Sequence, residues 1–267
     1  PSTITKIAFE RTAPSGYTQI GTLTGGVSVY KNSSVETEIA FVSSNAILAP
    51  NAEALFGRVN DKDTRPELSA LTSITFNNFH TDRVFTMAHW FQRIGKVETL
   101  DLSGFNTKNV TDMNCMFGDN GPLNKVDVSS FDTSNVTNFS WMFSGNDIVE
   151  LDLSNFNTSN ATTMCGMFNH SDCLTSLDLS NFNTSKVTDM QSMFYGCEKL
   201  TSLDLSSFNT SNVTTMQQMF KVTHALTSLT FSNGFVTSNV TKMNSMFQEC
   251  WVKSLDVSMF DTSKVTD

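Results

Sequence analysis

The sequence predicts an α/β solenoid in which each coil contributes one short parallel strand and one short helix, headed by an N-terminal β cap. Three observations carry that expectation. An L-D-L-S-x-F core recurs from "ITFNNF" at residues 74–79 to "LDVSMF" at residues 255–260, at a step of 26 residues with one step of 25. Self-similarity at so regular a period marks stacked like units, none of which can bury its apolar face alone. The cores alternate apolar and polar residues, and five of them are followed by a segment with a Met pair at helical spacing, from Met113 and Met116 to Met243 and Met246.

Residues 1–47 read differently. "ITKIAFE", "GGVSVYK" and "TEIAFVS" are strand-like runs separated by Gly and Ser turns. The end of a stack exposes core and sheet edge, so this segment is assigned as the β cap that covers both. Residues 48–267 form the solenoid, with about eight repeats. Its first helix frames are "APNAEALF" (49–56), with Phe56 in the place of Phe194, and "VFTMAHWF" (84–91), with Trp90 in a Met place. Between them "GRVNDKDTRPE" (57–67) reads as a polar surface loop. The chain begins at Pro1 and stops at "TSKVTD", inside a repeat, so the solenoid is expected to be truncated at its C-terminus.

The repeat that opens "SLDLS" (176–180) illustrates the unit. Leu177 and Leu179 are expected to point inward, and Ser176, Asp178 and Ser180 outward. "NFNTSKV" turns the chain with Phe182 and Val187 inward. "TDMQSMF" is the expected helix, capped by Thr188 with Gln191 three residues on, and carrying Met190, Met193 and Phe194 on one face. Gly196 suits a left-handed helix stop. The Met pairs recur at the same place in other repeats and need no cofactor to explain them.

The net charge is −9, and residues 95–267 hold the whole deficit, with 9 Lys, no Arg and 18 acidic side chains. No basic stripe exists, which argues against nucleic acid as a partner. No apolar run approaches the ~18 residues that a membrane span needs. HExxH, GxSxG, P-loop and dinucleotide fingerprints are missing, and the carboxylates are repeat positions rather than a unique pair, so no enzyme is expected. Cys115, Cys165, Cys173, Cys197 and Cys250 form no CxxC pairs and read as small core thiols, with a disulfide or metal site as the alternative, since Cys173 and Cys197 sit in neighbouring coils.

Candidate binding residues fall in two sets. The outward strand position forms the column Asp101, Asp127, Asp152, Asp178, Asp204 and Asp256, begun by Thr75 and interrupted by Thr230. Carboxylates about 4.8 Å apart repel one another. Ser hydroxyls and backbone N–H groups, bridging calcium, or a cationic partner surface would each offset that repulsion. The second set is the departures from the consensus: Trp141 at a small or polar position, and Tyr195 and Trp251 near the helix exits with Lys221 and His224. Exposed Trp and Tyr often supply binding energy, although single exposed aromatics are common on any surface. Regular Thr rows also raise binding to an ordered surface such as ice, but Lys108, Lys186 and Lys264 interrupt them.

The pattern LxxLDLSxFxTSxVTxMxxMFxxC, seen in "LTSLDLSNFNTSKVTDMQSMFYGC", resembles the BspA-like leucine-rich-repeat surface proteins, in particular their Mycoplasma-lipoprotein type of repeat. The resemblance implies a leucine-rich-repeat-like right-handed coil, a secreted or cell-surface location, and adhesion to matrix protein, mucus, glycan or neighbouring cells. It carries over no catalytic residues and no cofactor. "LTFSNGF" and "ECWVKS" depart from its spacing. A passive spacer that presents another domain, or a phage or particle receptor-binding tip, is the alternative.

Overall fold

The computed structural model describes residues 4–23, 27–35, 38–43, 47–48, 55–56 and 69–267. The 57–67 insertion and residues 49–54 of the first helix frame lie outside the described residues. The remaining segments form β1 (Lys6–Glu10), β2 (Tyr17–Thr22), β3 (Ser28–Asn32), β4 (Glu38–Val42), β5 (Ile47–Leu48), β6 (Ser73–Thr75), β7 (Phe79–His80), β8 (Thr99–Asp101), β9 (Lys125–Asp127), β10 (Ser202–Leu205) and β11 (Ser228–Phe231).

The expected α/β solenoid is corrected by this structure. Among the described residues there is no helix; the architecture is all-β, made of small mixed sheets and turns. The leucine-rich-repeat reading, with a helix in every coil, falls with it. The physical reason lies in "TDMQSMF". Met190, Ser192, Phe194 and Gly196 send their N–H groups to the carbonyls of Thr215, Gln217, Met219 and Lys221 in the following repeat, at 2.8–3.1 Å. Met193 and Tyr195 close tight turns onto Met190 and Ser192. An isolated helical turn of this length nucleates poorly. Here the bonds to the next repeat replace the i→i−4 bonds outright.

Two left-handed residues per repeat make this path possible. Ser192 has φ 55° and Gly196 φ 76°, and the pattern recurs at Cys115 and Asp119, Trp141 and Gly145, Gly166 and His170, and Gln218 and Val222. Thr188, the expected helix cap, donates its N–H and Oγ1 to the carbonyl of Thr162 in the preceding repeat, at 2.9 and 3.2 Å. A trans peptide points its N–H and C=O in opposite directions. The carbonyls of Asp189, Gln191, Met193 and Tyr195 accept from the preceding repeat, while the N–H groups of the next residues donate to the following one. Four peptide dipoles per repeat therefore lie parallel along the stack, as dipoles do within a helix.

The core follows the sequence pattern closely. Phe56, Phe91, Phe117, Phe143, Phe168, Phe194, Phe220 and Phe247 form one column of near-parallel rings, with neighbouring centroids 5.4–6.0 Å apart. The Met pairs from Met113 to Met219 are fully buried beside it, as is Trp90. The turn threonines tie the repeats together from inside. Thr184 Oγ1 donates to the carbonyl of Asn209 and accepts its N–H, both at 2.9 Å.

At the N-terminal end lies a five-stranded mixed sheet in the order β2-β3-β4-β1-β6. β1 runs parallel to both β4 and β6, and β3 runs antiparallel to β2 and β4. The pairing of β1 with β6 joins this sheet to the first L-D-L-S-like core, at Ile7 and Ile74. β8–β9 and β10–β11 are parallel pairs from consecutive repeats. The cores at 151–155 and 177–181 keep the alternating burial but form no strand ladder.

Candidate functional site

The strand face sets out the Asp column. Asp101 and Asp127 are register partners in β8 and β9, and Asp204 faces Thr230 across β10 and β11. All six carboxylates are exposed. Each turns one oxygen back on its own chain: Asp101, Asp127, Asp152, Asp178, Asp204 and Asp256 accept the N–H of the Ser two residues on, at 2.9–3.1 Å. The Ser103 and Ser129 hydroxyls add second bonds at 2.7 and 2.6 Å.

These bonds decide the charge state. The Ser103, Ser129 and Ser258 hydroxyls, then their N–H groups, hold Asp101, Asp127 and Asp256 below the usual carboxylate range. The Ser154 and Ser180 N–H groups, followed by the hydroxyls, do the same for Asp152 and Asp178. Repulsion from the neighbouring carboxylate acts the other way on Asp101, Asp152 and Asp178, and is the weakest influence on each. Hydrogen bonding to the charged form outweighs repulsion between solvated charges. Asp101, Asp127, Asp152, Asp178 and Asp256 are thus favoured in the charged form, on a face where all six side chains are exposed.

Open depressions run along part of this face. One of about 470 Å³ lies against Phe76, Asp101 and Ser103, one of about 390 Å³ against Thr99, Asp101, Lys125 and Asp127, and one of about 250 Å³ against Asp127, Glu150 and Asp152. Among the described residues no group of three or more His, Cys, Asp or Glu is placed to hold a metal ion. The side chains suit a cationic surface better than an enclosed small molecule.

The departures from the consensus sit elsewhere on the repeat. Trp141 is half-buried and lies over Gly166 of the next repeat; a Cβ at Gly166 would stand 2.5 Å from the indole. His170 lies over Gly196 in the same way, with its ring 2.6 Å from a Cβ there. Tyr195 is half-buried, met by the His170 ring at 4.7 Å and by Lys221 Nζ at 5.5 Å. Trp251 is 63% exposed and touches the His224 ring at 4.9 Å. The structure brings Tyr195 to Lys221 and Trp251 to His224, but places none of them on the Asp column.

Sequence reasoning passed over His170, Gly166, Glu198 and Glu249. The signal for the first two was present: a large side chain in one repeat faces glycine at the matching place in the next. The five cysteines are free thiols. Burial pushes Cys115 up to about 11, Cys165 up to about 12 and Cys197 higher still. Cys197 Sγ faces the carbonyl of Phe168 at 3.1 Å, whereas Cys173 lies near Asp147 and Lys199. Among the described residues no helix is long and apolar enough to cross a membrane.

A family model described as "Mycoplasma protein of unknown function, DUF285" matches residues 64–177 and again residues 171–267. No curated protein and no solved structure matches the chain.

Proposed function

The chain belongs to the DUF285 family, and from that premise we propose that it is a non-enzymatic interaction protein, exported and displayed at the cell surface, where it adheres to an extracellular partner. The observation that carries this reading is the row of exposed carboxylates Asp101, Asp127, Asp152, Asp178, Asp204 and Asp256, in which hydrogen bonds hold Asp101, Asp127, Asp152, Asp178 and Asp256 below the usual carboxylate range. One feature repeated on six units favours many weak contacts with an extended partner, and such contacts multiply when they share a scaffold. The sequence likeness to BspA-like surface proteins supports the same location and role. The stacked repeats also suit a spacer, which makes no saturable contact of its own.

The test is binding of the chain to immobilised matrix proteins and mucins at several salt concentrations. Saturable binding that weakens with salt is expected, because exposed charges are screened. Replacing Asp127, Asp152 and Asp178 together by Asn is expected to weaken it about tenfold while the fold survives. Binding to no surface by the folded chain would favour the spacer.

A further inference from the structure

The repeat exits between residues 170 and 251 carry a set of side chains that the earlier exits lack. Rings from four successive repeats meet there in two pairs, His170 with Tyr195 and His224 with Trp251. In the preceding repeats the places of His170 are held by Arg93, Asp119 and Gly145, and those of His224 by Gly95, Gly121 and Asp147. Polar groups flank the rings. Glu198 Oε2 lies 4.0 Å from His224 Nδ1, and Glu249 Oε2 lies 3.5 Å from His224 Nε2. His170 Nδ1 lies 3.5 Å from Asp172 Oδ1, within ion-pair reach but not hydrogen-bonded to it.

We propose that this exit ridge binds a glycan, with a pyranose ring laid on the Trp251 indole and its hydroxyls held by Glu198, Glu249 and His224. The indole is the one large aromatic surface here that is mostly open to water. Tyr195 is half-buried with His170 and Lys221 against its ring, whereas Trp251 carries the His224 ring and stays 63% exposed. A sugar offers an apolar C–H face to an aromatic ring and hydroxyls around its rim. The rim of the site matches, because carboxylates accept from hydroxyls and an imidazole both donates and accepts. The His224, Glu198 and Glu249 side chains remain 32%, 50% and 54% exposed, so a ligand's hydroxyls can reach all three from solvent. The ridge is distinct from the Asp column, so the two proposals fail independently.

Trp90 is buried and Trp141 half-buried, so the solvent-quenchable fluorescence reports mainly Trp251. The experiment titrates the chain with chitotriose, cellotriose and N-acetyllactosamine, with oligolysine as a separate probe, and follows tryptophan emission and acrylamide quenching. At least one oligosaccharide is expected to shift the emission and protect the indole. Trp251→Ala should weaken that binding by about tenfold or more, and Trp251→Phe by less. Asp127→Asn with Asp178→Asn should leave it unchanged. The proposal is overturned if no oligosaccharide protects the indole, if Trp251→Ala binds sugar as the parent does, or if oligolysine alone gives protection. Trp251 lies outside the core, so loss of folding does not confound the variant.

Discussion

The strand side and the turn side of one repeat bury the same kind of residue and hold the stack in different ways. On the strand side, ladders form between β8 and β9 and between β10 and β11, while the cores at 151–155 and 177–181 form none. On the turn side the bonding is unbroken: parallel bridges run Thr86, Asp112, Asn138, Thr163, Asp189, Thr215, Lys242. The rings of Phe91 to Phe247 stack beneath them. Continuity of the molecule therefore resides in the segment that looked helical, more than in the leucines that look like its signature.

The largest effect should come from the ring column. Phe194→Ala removes a fully buried ring and is expected to cost about 3–5 kcal/mol, whereas Leu177→Ala, at a half-buried strand position, should cost about 2 kcal/mol or less. Urea unfolding of the two variants measures the difference. Equal losses would break the contrast between the two sides.

A smaller effect tests the left-handed path. Gly166 has φ 60° and sits under the Trp141 indole. Gly166→Ala should destabilise by about 2–4 kcal/mol, part from the left-handed backbone and part from the ring. Adding Trp141→Ala should recover the ring's share and leave the backbone's. A double-mutant cycle with no coupling would show that the indole does not rest on this glycine.

The smallest effect sharpens the strand side. The lowered Asp column groups contribute stability that is fully present above their unfolded value of 3.8 and is lost as pH falls through their lower folded values. The melting temperature should therefore begin to fall below about pH 4. Asp127→Asn and Asp178→Asn keep an acceptor for the Ser N–H but carry no charge, so together they should flatten that fall. An unchanged acid profile would show that the serine bonds do not stabilise the charged form.

Much of the fold was legible one residue at a time. The 26-residue step matches the bridges that run from Thr86 to Lys242, the alternation marked Leu179, which is buried, and Leu177, which is only half-buried, and the Phe194 place was followed back correctly to Phe56. The Asp column was legible for the same reason, since a period fixes which side chains share a face. The helix was not. Met190, Met193 and Phe194 have helical spacing, but a chain of tight turns buries the same three residues. Periodicity reports which residues face inward and is silent about where their N–H groups go. The serine bonds that lower Asp101, Asp127, Asp152, Asp178 and Asp256 depend on turn geometry, so the sequence could only offer them beside calcium or a partner.

The sequence by itself determined the period, the composition of the core and the exposure of the carboxylates at Asp101, Asp127, Asp152, Asp178, Asp204 and Asp256, because those follow from the order of apolar and polar residues along the chain. Only the tertiary structure decided that "TDMQSMF" bonds to its neighbour rather than to itself, that Trp141 and His170 rest on glycines, and that His224 meets Trp251. Those outcomes join residues about one repeat apart. Their energies depend on donors, acceptors and space supplied by a second copy of the motif, which no single copy contains.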